Sequence, residues 1–257
     1  KGANFVIGPF IKPAVSSLSK STIPVPTLGL NYVEGTSNKS GNFYQFGLSP
    51  EDEAIQVVQY ALNQNRKRVA ILAPDSSWGG RLQEAMRKAT IERLGKVVVM
   101  ESYRDNAISY AQPAQSIAAR SDEIDVVLIA ASPTQARRLY PDLRQQIKSL
   151  PIYATSHVFN GQSNADKDAV LEGLIFTETP WVLDTLGRQQ SAPTEFPRLH
   201  AMGMDAYMIS TGLNKLKNYG SSLSGRTGNI RLSKDGSLHR NLRWARFSKG
   251  LVIPHGG

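Results

Sequence analysis

Residues 43–54 read Phe43-Tyr44-Gln45-Phe46-Gly47-Leu48-Ser49-Pro50-Glu51-Asp52-Glu53-Ala54, a strand that crosses into a strongly specified helix start. Phe43, Tyr44 and Phe46 favour extended backbone, and Gly47 permits a change of chain direction. Ser49 is placed as the N-cap, with Pro50 at the first helical position, where a missing N–H costs nothing. Glu51, Asp52 and Glu53 set negative charge against the positive end of the helix dipole, and Ser49 with Asp52 makes a capping-box variant. Behind the cap, Ala54, Val57, Val58, Ala61 and Leu62 recur at helical spacing. Asp52 and Glu53 are neighbouring carboxylates, but successive helical side chains point about 100° apart, so both are assigned to the dipole and not to paired acid–base chemistry.

Outward from this helix the chain alternates strand and helix. Apolar, β-rich runs at Val69–Ala73, Val97–Met100, Val126–Ala130, Ile152–Thr155 and Leu174–Phe176 suit strands buried on both faces of a parallel sheet. Between them, 81–93 carries Leu82, Ala85, Met86 and Ala89, with Leu94 just beyond, at helical spacing and is expected to stop at Gly95 as C′ residue. Ser132-Pro133-Thr134-Gln135 repeats the cap, proline and capping-box pattern and opens a helix through Gln146. Right-handed crossovers then make this part a doubly wound sheet.

The N-terminal portion gives a strand at Asn4–Ile7, a helix near Ala14–Lys20 and a strand at Val25–Leu30. Its remaining partners are expected from Thr177–Trp181 onward and from a helix over Glu195–Lys217, whose apolar face includes Leu199, Met202, Ala206, Ile209 and Leu213. At the C-terminus, Gly228–Leu232, the turn Ser233-Lys234-Asp235-Gly236, Leu242–Phe247 and Leu251–Ile253 read as hairpin strands around an Asp-Gly signal. The whole is expected to be α/β: two doubly wound lobes with three crossovers, near Phe46–Ser49, Phe176–Thr179 and Tyr219–Gly225. Lobe I takes residues 1–47 with 178–220, and lobe II takes 48–177 with 221–257.

At 257 residues, with 40% hydrophobic and 20% charged content, the chain can bury a real core without staples. It contains no cysteine, which excludes disulfides, thiolate ligands and a cysteine nucleophile. No apolar run is long enough to cross a bilayer. The chain opens directly into Asn4-Phe5-Val6-Ile7, as an excised domain or mature fragment would. A formal net charge of +9 favours anionic partners. It is concentrated in Arg226, Arg231, Lys234, Arg240, Arg243, Arg246 and Lys249, opposed within that span only by Asp235. This reads either as a solvated hairpin face or as a docking surface, with Arg240, Arg243 and Arg246 as the contact candidates.

Ligands of open α/β sheets bind where loops leave the carboxyl ends of strands. The candidates on those loops are Phe10, Asn31, Tyr32, Ser76, Ser77, Trp78, Ser132, His157 and Trp181, although the serines serve equally as helix caps and Trp78 as packing. Phe10-Ile11-Lys12-Pro13 offers few donors for a ligand carboxylate, which argues against amino-acid capture. Catalysis finds little support. There is no nucleophile elbow, phosphate loop, dinucleotide fingerprint or zincin motif, and His157, His200, His239 and His255 are too scattered for a metal site. Ser156 beside His157 has no recognisable acid partner, so no catalytic residue, metal or cofactor is assigned. Arg243-Trp244-Ala245-Arg246-Phe247 interleaves cations and aromatics as single-strand nucleic-acid binders do, but the same alternation serves a half-buried strand.

The stretch FGLSPEDEA, with Gly8-Pro9-Phe10, Leu28 to Asn31, Trp78-Gly79-Gly80-Arg81 and Gly228 through Pro254, resembles the LpoA/LppC family of outer-membrane lipoproteins, over most of the chain and in order. The resemblance implies a periplasmic-binding-protein type I fold and a non-catalytic periplasmic regulator. Such a regulator binds and activates a class A penicillin-binding protein and is tethered to the inner face of the outer membrane by a lipid outside this chain. Family members begin lobe I with a further βαβα segment that is not seen here, so lobe I is expected to be incomplete. The alternative is a solute receptor for a small polar ligand of an ABC-type transporter.

Overall fold

The computed structural model describes residues 2–33, 41–105, 109–189, 194–218 and 220–256. The chain divides into two units: Lys1–Ser49, Thr179–Trp181 and Thr194–Leu242 form the first, and Pro50–Glu178, Val182–Pro193 and Arg243–Gly257 the second.

In the first unit, strands β1 (Val6–Ile7), β2 (Thr27–Gly29) and β3 (Phe43–Phe46) pair in parallel, with helix α1 (Lys12–Ser19) between β1 and β2. The quoted stretch therefore begins as a fully buried strand, and α2 (Pro50–Asn63) starts at the proline, as its cap chemistry requires. The second unit continues with β4 (Arg68–Pro74), α3 (Ser77–Glu92), β5 (Lys96–Tyr103), α4 (Ala111–Ala118), β6 (Val126–Ile129), α5 (Pro133–Gln146), β7 (Ile152–Ala154), α6 (Ala165–Asp168) and β8 (Ile175–Glu178). After α7 (Pro180–Gln189) comes α8 (Pro197–Leu216), then β9 (Leu223–Ser224), β10 (Asn229–Leu232) and β11 (Ser237–Asn241), and finally β12 (Arg243–Ser248) and β13 (Leu251–Pro254).

Two sheets result, ordered β1-β2-β3-β11-β10-β9 and β13-β12-β8-β7-β6-β4-β5. In the second, β8-β7-β6-β4-β5 are parallel, and β12 and β13 add antiparallel strands at one edge. Because β4 connects outward to β5 and β6 connects toward β7, the crossover direction reverses between β4 and β6. That is a topological switch point. Its core is built from Val57, Val58 and Ala61 of α2, Leu82 and Met86 of α3, and Val69, Ile71, Val126 and Leu128 of the sheet. The first unit's core joins Leu28, Tyr44 and Phe46 to Met202, Ala206, Ile209 and Leu213 of α8.

Several expectations need correcting. Residues 221–242 belong with the first unit, because β11 pairs in parallel with β3 and sends Leu238 into that core beside Ile230. The last passage between units therefore falls at Leu242–Arg243, not near Tyr219–Gly225; Tyr219 itself lies outside the described residues. Thr177 and Glu178 end β8 in the second sheet and do not supply a first-lobe strand. The Asp-Gly hairpin is real, but its returning strand is Ser237–Asn241, while the chain from Arg243 goes on into the other sheet. Leu199 of α8 is 44% exposed and not part of the apolar face. After α3 it is Leu94, at φ 59°, that takes the left-handed conformation expected of Gly95. Gly95 is needed for space: a Cβ there would stand 2.8 Å from Thr90 Cγ2 and 3.1 Å from the Lys67 carbonyl oxygen.

Candidate functional site

The nine loop candidates divide between the units: Phe10, Asn31, Tyr32 and Trp181 in the first, and Ser76, Ser77, Trp78, Ser132 and His157 in the second. In the second unit the loops after β4, β6 and β7 carry them at the carboxyl end of the parallel strands. Ser76 caps α3, its hydroxyl accepting from Gly79 N–H at 3.1 Å, and Ser132 completes a reciprocal capping box with Gln135 on α5. Both hydroxyls are thus used within the fold. Ser77 opens α3, and its carbonyl accepts from Arg81.

The Trp78 ring meets the His157 ring edge-on at 5.1 Å, while His157 Nδ1 lies 3.1 Å from Thr155 Oγ1. Beneath them is a carboxylate that the sequence reading gave to the helix dipole. Glu53 is 3% exposed, and its Oε2 accepts the Ser156 N–H at 3.2 Å and the Ser156 hydroxyl at 2.6 Å. His157 Nδ1 stands 3.9 Å from the same oxygen. The acid partner missing from the Ser156–His157 pair therefore exists, and it comes from the decisive stretch itself. Its order is wrong for a nucleophile: the carboxylate binds the serine directly, whereas a catalytic acid orients the histidine. Ser156 is also 1% exposed. The trio fastens α2 to the turn after β7. Its signal was available in the sequence, since Glu53 precedes Ala54, Val57 and Val58 on the buried stripe.

In the first unit, Asn31 donates to the Phe10 carbonyl at 3.2 Å and accepts from Tyr32 N–H at 2.9 Å, tying the loops after β1 and β2. Tyr32 donates its hydroxyl to the Leu238 carbonyl and stacks on His239 at 6.0 Å with only 7° between planes. Phe10 remains 52% exposed. Trp181 has its ring 5.1 Å from that of His200, and its backbone N–H donates to the Arg226 carbonyl. The adjoining turn is pinned by Asp205, fully buried, whose carboxylate accepts from Arg226 N–H, Thr227 N–H and the Thr227 hydroxyl at 2.6–2.7 Å. Asp205 was missed because it lies on the buried face of α8 among apolar residues.

The three arginines proposed as one contact face are separated. Arg240 is on β11 of the first sheet and only 4% exposed, because the alternation that exposes His239 and Asn241 turns it inward. Arg243 and Arg246 are on β12 of the second sheet, both exposed, and Arg243 pairs with Asp184 at 2.8 Å. Among the described residues no group of three or more acidic or histidine side chains is placed to hold a metal ion. No described helix is long and apolar enough to cross a membrane.

Two α/β sheet units between which the chain passes repeatedly, with the second sheet's loops gathered at a switch point, define a protein of the periplasmic-binding-protein type I class. A structure described as "a putative branched-chain amino acid ABC transporter" from Chromobacterium violaceum ATCC 12472 matches with a TM-score of 0.76 and 26% identity, over 96% of this chain and 81% of that one. Within that class, the chain belongs to the LppC family: the family model "LppC putative lipoprotein" matches residues 1–250. The relative named penicillin-binding protein activator LpoA from Dickeya chrysanthemi (strain Ech1591) is 30% identical over 98% of this chain, which spans 44% of that protein's length. The C-domain of LpoA (YraM) from Haemophilus influenzae, described as a regulator of PBP1A, matches with a TM-score of 0.83 at 22% identity, over 98% of this chain and 82% of that one.

Proposed function

We propose that this chain is part of a non-catalytic periplasmic regulator that binds a class A penicillin-binding protein and raises its peptidoglycan cross-linking activity. A lipid on a segment outside this chain holds it at the inner face of the outer membrane. The observation that carries this reading is the similarity, along 98% of the chain, to a relative named as such an activator. The loop geometry is in keeping with it: Ser76 and Ser132 are used as caps, and the Glu53–Ser156 pair is structural. Activation is then a coupling free energy, with the regulator binding the active conformation of the synthase more tightly than its resting one. The +9 charge steers the encounter, so association slows as salt is added. Binding of the full-length protein to its cognate synthase, followed at rising ionic strength, tests this. Saturable binding with a salt-sensitive on-rate is expected, and absence of binding at low salt refutes it.

A second reading, solute capture for a transporter, has specific support in the likeness to the Chromobacterium violaceum structure. A large thermal upshift of the full-length protein with a polar metabolite would favour it.

A further inference from the structure

On β12, Trp244 and Arg246 are two residues apart and point to the same side of the strand. Trp244 stacks on Tyr60 of α2 with ring centroids 4.0 Å apart and lies edge-on to Tyr153 at 6.2 Å. Tyr60 meets Tyr153 edge-on at 5.1 Å, and its hydroxyl is 3.4 Å from His255 Nε2. The Arg66 guanidinium lies over the Tyr153 ring, 5.6 Å from its centroid. Arg246 lies on the same face of the strand as Trp244, and burial first and then its charge hold the His255 imidazole below its ordinary pKa. Trp244, Tyr60, Arg66 and His255 are all partly exposed, and Arg246 is exposed. Among the described residues neither Arg66 nor Arg246 forms an ion pair, whereas Arg243 on the same strand is already neutralised by Asp184.

We propose that Arg66 and Arg246, with the Tyr60–Trp244 pair, form a docking surface for an acidic polypeptide face of the synthase, an inference that rests on the function proposed above. Tryptophan, tyrosine and arginine are the residues that concentrate binding energy in protein interfaces, because they bury large area around a fixed polar group. Two guanidiniums without carboxylate partners ask for carboxylates from outside, and each has the fork geometry to take one bidentately. A phosphate backbone or an anionic lipid surface is met instead by a row of cations. Here two cations accompany an aromatic pair.

The test is the affinity of full-length protein for its cognate synthase with Arg66→Glu and Arg246→Glu, alone and together, and with Arg243→Glu as the control. Each of the first two should weaken binding about tenfold, with a flatter salt dependence. Arg66→Lys should keep most of the affinity, and Arg243→Glu should change it less than either. Unaltered thermal unfolding of the variants shows that the fold is intact. If wild type binds and the Arg66 and Arg246 variants bind equally well, the patch is refuted while the regulator reading stands. The same holds if they lose only binding to anionic vesicles or single-stranded DNA. If wild type does not bind the synthase at all, both fall.

Discussion

Replacing Glu53 by alanine is expected to loosen the second unit where α2 meets the turn after β7. The side chain is 3% exposed and Ser156 is 1% exposed, so the hydrogen bonds at 3.2 and 2.6 Å are made away from water. Glu53→Ala removes the acceptor of two buried donors, each at about 1–3 kcal/mol, while relief from burying a charge returns part of that. A net loss of about 3 kcal/mol follows, or about 6–12 °C in Tm at roughly 2–4 °C per kcal/mol for a unit of this size. Ser156→Ala removes only the hydroxyl bond and should cost about 1–2 kcal/mol. Glu53→Gln keeps an acceptor in place and should fall between wild type and alanine. Urea unfolding followed by tryptophan fluorescence is a suitable assay, because Trp78 lies against His157 beside the turn. Glu53→Ala within about 0.5 kcal/mol of wild type, the ordinary range for surface changes, would refute the reasoning, as would Ser156→Ala proving the costlier substitution.

The Trp78-Gly79-Gly80 motif should split sharply under alanine substitution. At Gly79 a Cβ would lie 1.9 Å from the Pro74 carbonyl oxygen, so Gly79→Ala should cost about 3 kcal/mol or more, whereas Gly80 has nothing within 4 Å and should gain about 0.5–1 kcal/mol in helix propensity; chemical denaturation measures both. Asp205→Ala removes three charge-assisted bonds from the turn at Arg226–Thr227 and should cost more than about 3 kcal/mol, read as faster hydrogen exchange at those two amides. His255 has its folded pKa lowered by burial and then by Arg246. Its contribution to stability is therefore fully present above the unfolded value of about 6.5 and is lost as pH falls through the lowered folded value. His255→Gln should flatten the melting temperature against pH below about 6.5, and an unchanged slope would count against that placement.

Much of this architecture was readable because its signals are local. The Ser132–Gln135 box, the proline at the start of α2 and the apolar runs that became β4 to β8 each report on a few adjacent residues. What was misread depends on pairing at a distance. Nothing in 221–242 announces that β11 will lie beside β3, so a crossover set near Tyr219–Gly225 gives that stretch to the wrong unit. The same step hid the fate of Arg240. A strand's alternation shows that Arg240 and Leu238 share a face, but only the sheet shows that this face is the buried one. Glu53 illustrates the reverse case, a carboxylate whose helix position suits the dipole while its buried partner sits on a loop distant in sequence. At the candidate loops, the cap roles of Ser76 and Ser132 follow from their places before a helix, while the meeting of Trp78 with His157 depends on two separate loops and is invisible in local sequence.

As proposed above, the protein works by surface contact and makes or breaks no covalent bond itself. The most direct test of this is the rate of peptide cross-linking by the cognate class A synthase, reconstituted with and without the full-length regulator, beside a sample of the regulator alone on the same substrate. A clear rise in cross-linking with the regulator present, and no reaction from the regulator alone, is expected. An unchanged synthase rate, or turnover by the regulator without the synthase, would contradict it.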